Sequence, residues 1–372
     1  MFYKKPISSA SLTVLASIAA ALSSMPAAAQ SDVALYGVLD AGLFSTDIKS
    51  AGNSTKTTGL VSGGQAASRW GLRGTETISP NLKAKFEFES GINITNGSAL
   101  NNGRAFGRSA WVALAGSWGE VRLGRQPNTT SDYFGNTTTS PFGNSFSQAG
   151  IGKSGFRAAN AVRQDRVVKY ISPQGQSFNF GASYSFNAKG DEQASSSNNT
   201  RAYSLAARYR SDLISIAATY DRVLPANSDT NAQNREPSAI QIGGNLHFKP
   251  VRIYAAWTTQ KNGWVKQAEG APTGSNSLGA SGYFDGKVDA WLLGAQYTLN
   301  KQKIFGTFQY VDPSKKAFAN GESVNVFSLG YTYDLSKRTS FYALASYFDG
   351  DLYTFQTQSH SRQLGAGVLH RF

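Results

Sequence analysis

The sequence predicts an all-β chain, a sixteen-stranded antiparallel barrel that crosses a membrane, and three observations predict it. Segments alternating apolar and polar residues recur from position 33 to the last residue. Tight turns and long polar connectors take turns between them. The apolar face of many segments ends in an aromatic ring. The first thirty residues precede this pattern and differ from it. Lys4 and Lys5 lead into the apolar stretch Leu12–Leu22, which closes on Met25-Pro26-Ala27-Ala28-Ala29. This is the three-part pattern of an export signal, with cleavage after Ala29. The stretch is too short to span about 30 Å of hydrocarbon at about 1.5 Å per residue. Residues 1–29 are therefore expected to be a signal peptide and 30–372 the barrel.

The strands are predicted near 33–44, 67–78, 82–92, 104–116, 119–126, 165–172, 177–187, 201–210, 213–223, 239–249, 251–260, 288–299, 303–311, 324–335, 339–349 and 361–372. Ser177–Asn187 is representative. Phe178, Phe180, Ala182, Tyr184 and Phe186 fall on one face, and Asn179, Gly181, Ser183 and Ser185 on the other. The same separation sets Ile240, Ile242 and Leu246 against Gln241, Asn245 and His247. It sets Trp291, Leu293 and Tyr297 against Gln296 and Thr298, and Phe327, Leu329 and Tyr331 against Ser328 and Thr332. In the last strand Leu364, Ala366, Val368, His370 and Phe372 share a face.

Turns such as Ser79-Pro80-Asn81 and Ser211-Asp212 are tight. The stretches 45–66, 93–103, 127–164, 188–200, 224–237, 261–286, 312–322 and 350–359 are long and polar. A soluble sandwich shares the two-residue period. The barrel is favoured by the aromatic ends (Tyr184, Tyr209, Phe248, Tyr297, Tyr333), which read as interfacial girdles. It is also favoured by a polar face with too little bulk to be packed inside, and by closure, which leaves no backbone edge in lipid.

Composition removes several chemistries. The chain has 372 residues and no Cys, which excludes disulfides and thiolate sites. Its net charge is +13, but the basic residues are scattered over strands and loops, and export argues against a nucleic-acid partner. Gly150-Ile151-Gly152-Lys153-Ser154 lacks the first Gly of a phosphate-binding loop, since position 147 is Ser147. His247, His360 and His370 have no partner at metal-ligand spacing. No Ser–His–acid set stands out. No enzyme activity, cofactor or metal is expected.

Several ordered segments carry a family resemblance: Leu35-Tyr36-Gly37-Val38-Leu39-Asp40-Ala41-Gly42, Ser68-Arg69-Trp70-Gly71-Leu72-Arg73-Gly74-Thr75-Glu76, Val121-Arg122-Leu123-Gly124-Arg125-Gln126, Lys169-Tyr170-Ile171-Ser172-Pro173 and His370-Arg371-Phe372. Over the whole mature chain it resembles the general porins of β-proteobacterial outer membranes. The resemblance implies a homotrimer in the outer membrane, with short periplasmic turns, long extracellular loops and a third loop (about 127–164) folded into the pore. It implies a passive channel for ions and small hydrophilic solutes. It also implies assembly by the outer-membrane barrel machinery, which reads a terminal aromatic such as Phe372. Surface Lys and Arg could contact lipopolysaccharide phosphates.

Arg69, Arg108 and Arg163 match the family's basic cluster at the constriction. Arg125 sits where a strand enters the third loop, and Arg73 shares the face of Arg69 by period two. Asp165-Arg166-Val167 stands where the family often has Asn-Asn-Ser, adding a carboxylate and an Arg. Asp132 is the one acid of the third loop, against Lys153, Arg157 and Arg163. A ring of guanidinium groups in a pore the size of the Debye length, about 8 Å, predicts a modest anion preference. Pairing among Lys83, Lys85, Glu87 and Glu89 would instead flatten the field. A solute-specific channel or an adhesive surface barrel are the alternative functions.

Overall fold

Apolar side chains on one face of each strand and polar ones on the other leave the chain a single arrangement in lipid. The greasy face turns out, the polar face turns in, and the sheet closes to leave no edge. The computed structural model has this architecture. It describes residues 31–50, 53–135, 138–143, 156, 163–188, 194–229, 236–262, 286–314, 323–350 and 359–372. The export signal, Asn144, Lys153, Arg157 and the Gly150–Ser154 segment lie outside the described residues.

The strands are β1 (Ser31–Ser50), β2 (Asn53–Ser62), β3 (Arg69–Ser79), β4 (Leu82–Gly91), β5 (Ser109–Gly116), β6 (Gly119–Pro127), β7 (Arg163–Ile171), β8 (Phe178–Ser185) and β9 (Arg201–Arg210). They continue as β10 (Ile214–Leu224), β11 (Ser238–Phe248), β12 (Val251–Lys261), β13 (Lys287–Leu299), β14 (Gln302–Pro313), β15 (Val324–Asp334), β16 (Thr339–Asp349) and β17 (Ser359–Arg371). A short helix, α1 (Thr129–Tyr133), opens the third loop. Each strand pairs antiparallel with its successor, and β17 returns to β1, pairing Val38 with Arg371 through Ser50 with Ser359.

Seventeen strands fill sixteen wall positions, because β2 and β3 share one. The first half of β1 pairs with β3 (Ser31–Glu76 to Val38–Arg69), and the second half pairs with β2 (Ala41–Ser62 to Ser50–Asn53). Asp40 sits at the junction and organises the intervening turn. Its carboxylate accepts the backbone N–H groups of Gln65 (2.8 Å) and Ala66 (2.5 Å) and the Tyr342 hydroxyl (2.7 Å). This corrects the expected loop at 45–66, which is a continued hairpin. Here Ser, Thr and Lys occur without alternation, and Ser54–Leu60 of β2 are all exposed, so the ladder persists with both faces wet. The strand expected at 104–116 begins only at Ser109.

The outward face is the predicted one. Phe178, Phe180 and Phe186 are exposed while Asn179, Ser183 and Ser185 are buried. Ile240, Ile242, Trp291, Leu293, Phe327, Leu329, Leu364 and Val368 also point out. The inward face departs from expectation, because part of it is packed. Phe134 and Phe156 of the third loop join Tyr254, Ala256, Val288, Ala290, Leu292, Val311, Val324, Val326 and Phe348 in an apolar cluster inside the barrel. A second cluster gathers Phe142 with Val38, Phe44, Phe305, Tyr342, Leu344 and Leu369. On β13 the two faces read Leu293, 62% exposed to the outside, and Leu292, 1% exposed beneath the loop.

Candidate functional site: the lumen and its third loop

The third loop leaves β6 at Pro127 and turns at once into α1. Asn128 caps the helix, its side chain accepting the Ser131 N–H at 3.0 Å. Polar side chains on the inner wall then hold the loop. Thr129 donates to Ser183 (2.7 Å), and Thr130 and Asn128 donate to Asp221 (2.5 and 3.2 Å). Tyr133 lies over Gly181, where an added Cβ would stand 3.0 Å from its ring. Further on, Asn245 donates to the Thr138 carbonyl at 2.8 Å, and Thr139 occupies the space a Cβ on Gly243 would need. Phe142 meets Phe305 edge-on, ring centroids 4.9 Å apart. Among the described residues the loop thus lies against the inner wall from β8 to β16, reaches β7 at Lys169, and leaves the inner face of β3 to β6 bare.

The bare wall carries the charges. Register places Arg69 opposite the inward Val38, and Arg73 opposite Glu87. Glu89 stands between two guanidinium groups, 3.2 Å from Arg69 Nε and 2.5 Å from Arg108 Nε, and accepts the Tyr36 hydroxyl at 3.1 Å. Arg163 lies within electrostatic reach of Arg69, Arg108, Arg125 and Glu89. These are the sequence-predicted residues that the fold brings together.

The others are distributed differently. Arg125 and Asp165 pair at 2.6 Å at a bulge where β6 and β7 shift register between Gly124 and Gln126. By strand parity Arg125 falls on the face of Leu123, which is exposed to the outside. Its Nε donates to the Gly107 carbonyl at 2.8 Å, and Arg104 completes the group, 2.8 Å from Asp165. Arg166 sits in the bulge with φ +51° and reaches toward the Asn187 carbonyl at 3.5 Å. Arg73 stacks over Tyr36, 4.9 Å from its ring centroid. Asp132 leaves the Arg cluster altogether and pairs with Lys169 at 2.8 Å. Phe372 exchanges backbone hydrogen bonds with Gly37 (3.1 and 3.2 Å) at the seam of first and last strands.

Several lumen groups were not picked out by the sequence. Lys169 has a fully buried side chain, and its Nζ also donates to the Pro127 carbonyl at 2.5 Å, tying loop to wall. Glu120 joins Lys85 (2.8 Å) to Arg122, which lies over Trp111 at 4.3 Å. Arg208 lies over the Tyr133 ring at 4.9 Å. Burial raises the Tyr133 phenol above its ordinary value, so it stays neutral and offers Arg208 its π face. Their alternation was visible. Their partners were not, because cross-strand register decides which inward acid meets which inward base. A cavity of about 350 Å³ lies here, between α1 and the bare wall, lined by Lys85, Glu120, Arg122, Asp132, Tyr133 and Arg208.

A closed barrel, apolar outside and lined by charge inside, with a loop folded across its lumen, is a transmembrane pore. Residues 15–352 match the family model described as Gram-negative porin. The chain is 36% identical over 376 residues to an outer membrane porin protein of Bordetella pertussis, covering 93% of this chain and 96% of that one. It is 30% identical to outer membrane porin protein 32 of Delftia acidovorans, covering 89% and 87% of the two chains. Among solved structures it superposes on the anion-selective porin from Comamonas acidovorans with a TM-score of 0.70 at 23% identity, covering 92% of this chain and all of that one. The chain belongs to the Gram-negative porin family. It is an outer-membrane channel for the passive diffusion of ions and small hydrophilic solutes.

Proposed function

We propose that this channel prefers anions, and that its preference is set where the third loop faces the bare wall. The observation that carries the reading is the crowding of Arg69, Arg108 and Arg163 around the single carboxylate of Glu89. One negative charge among three guanidinium groups leaves the local potential positive. An aqueous passage narrower than a few Debye lengths of about 8 Å then enriches anions without tight binding. The anion selectivity of the Comamonas porin of the same fold agrees with this. Asp165 does not cancel the effect, because Arg104 and Arg125 both face it. The reading extends to a homotrimer, in keeping with trimeric neighbours. It also includes cleavage of residues 1–29, recognition of Phe372 by the barrel assembly machinery, and contact of rim cations with lipopolysaccharide.

The test is the reversal potential of the purified channel in a planar bilayer under a KCl gradient. The expected sign is that of chloride permeation, and the double variant Arg69→Gln, Arg108→Gln brings it close to zero. A cation-selective wild type overturns the reading.

A further inference from the structure

Most lumen cations of the bare wall have a carboxylate beside them: Arg69 and Arg108 share Glu89, Lys85 and Arg122 share Glu120, and Lys169 has Asp132. A second basic group, near the short-turn end on the far side of α1, does not follow this pattern. Arg210 closes β9, His247 lies near the end of β11, and Arg252 faces His247 across the β11–β12 ladder. Neither Arg210 nor Arg252 forms an ion pair among the described residues. The three line a cavity of about 300 Å³, together with Thr138, Asn245 and the β9–β10 turn Ser211–Ser215. Its floor is small, since Arg210 is opposite Ser215 and Ser215 opposite Asn245. Its roof is the third loop, fixed by the Asn245–Thr138 hydrogen bond of 2.8 Å. Asp212 is the one carboxylate on the lining.

The donors are arranged for a ligand. The Nε of Arg252 and the Oγ of Ser215 are buried and have no hydrogen-bond partner among the described residues. The Arg252 guanidinium lies 3.3 Å from His247 Nδ1. A guanidinium has no acceptor, so Nδ1 must accept, and the ring's proton is on Nε2, where it serves as a further donor. Two guanidinium forks, an imidazole N–H and a hydroxyl converging on a hollow is the donor set of a phosphate-type oxyanion.

We propose that this hollow, formed by Arg210, His247, Arg252 and Ser215, is a second anion station of the lumen that holds a small doubly charged oxyanion such as phosphate. It rests on the reading of the lumen as an anion path, and it adds a saturable site to that path.

The test uses the purified full channel in a planar bilayer in KCl, with inorganic phosphate added from either side at a pH where it is mainly the dianion. Phosphate is expected to reduce chloride current saturably. Arg252→Gln and Arg210→Gln each raise the half-blocking concentration about tenfold, the loss of one charge-assisted hydrogen bond. Lys83→Gln removes a charge from the opposite wall and leaves the half-blocking concentration within about twofold, since exposed charges beyond a Debye length are screened. Phosphorus NMR line broadening on the wild-type protein in detergent gives a second measurement that needs no variant. Non-saturable block, equal weakening by Lys83→Gln, or absence of broadening overturns the station. The anion path is judged separately by the phosphate-free reversal potential, so the two readings fail independently.

Discussion

The two sides of the lumen are built from the same alternating strands and have opposite interiors. From β12 to β16 the inward positions are Tyr254, Leu292, Val311, Val326 and Leu344, buried under Phe134, Phe142 and Phe156. From β3 to β6 they are Arg69, Arg73, Glu87, Glu89, Lys85, Glu120 and Arg122, facing water or one another. The comparison teaches that a barrel strand specifies only which residues point in. What those residues do is decided by whether the third loop lies against them. One wall is a protein core turned inside out, and the other is the surface of a channel.

The sharpest way to break the comparison is to undo the core. Phe142→Ala removes a ring that is 1% exposed, and is expected to cost about 3–5 kcal/mol of packing. A lowered thermal unfolding midpoint together with a raised single-channel conductance would show that the loop has left its wall. An unchanged conductance would mean that the apolar seat does not hold it. On the bare wall the matching change is Glu89→Gln. It leaves Arg69 and Arg108 without their shared carboxylate, and destabilisation of about 1–3 kcal/mol is expected for the unpaired groups. Anion preference rises, read as a larger reversal potential, and a fall would place the cluster outside the conducting path.

A smaller effect probes the hinge between the two walls. Thr130→Ala deletes one donor to Asp221 and is expected to cost about 1 kcal/mol. It should appear as excess current noise with little change in mean conductance. The mildest test changes only the solution. Between about 0.1 and 1 M salt the Debye length falls from about 10 Å to about 3 Å. Anion preference should shrink accordingly, whereas the loop-packed wall, which acts by sterics, should keep the same solute size limit in liposome swelling.

The lipid-facing half of this molecule was legible in the sequence because lipid imposes a simple rule on every second residue, and Phe178, Ile240, Trp291 and Leu329 obey it. The lumen-facing half was legible only in part. Runs such as Ala290-Trp291-Leu292-Leu293 carry apolar residues on both faces, a signal that both faces are buried, but nothing in the run says that a distant loop supplies the second cover. The hairpin at 45–62 was missed because its two faces are both wet. The Arg125–Asp165 pair turned on a one-residue bulge at Arg166, which the alternation of the flanking strands does not announce. Asp40 and Asp221 are inward acids buried in the wall. Each anchors a turn of chain that sequence order leaves far away.

Among the described residues, three lumen guanidinium groups rest on aromatic rings: Arg73 on Tyr36, Arg122 on Trp111 and Arg208 on Tyr133. A free arginine sweeps a wide volume, and a passing ion would have to catch it and freeze its torsions. Seated on a ring, the side chain has already lost that freedom when the barrel folds. At these three positions a traversing solute therefore meets charges that stand still and is guided past them by a fixed potential.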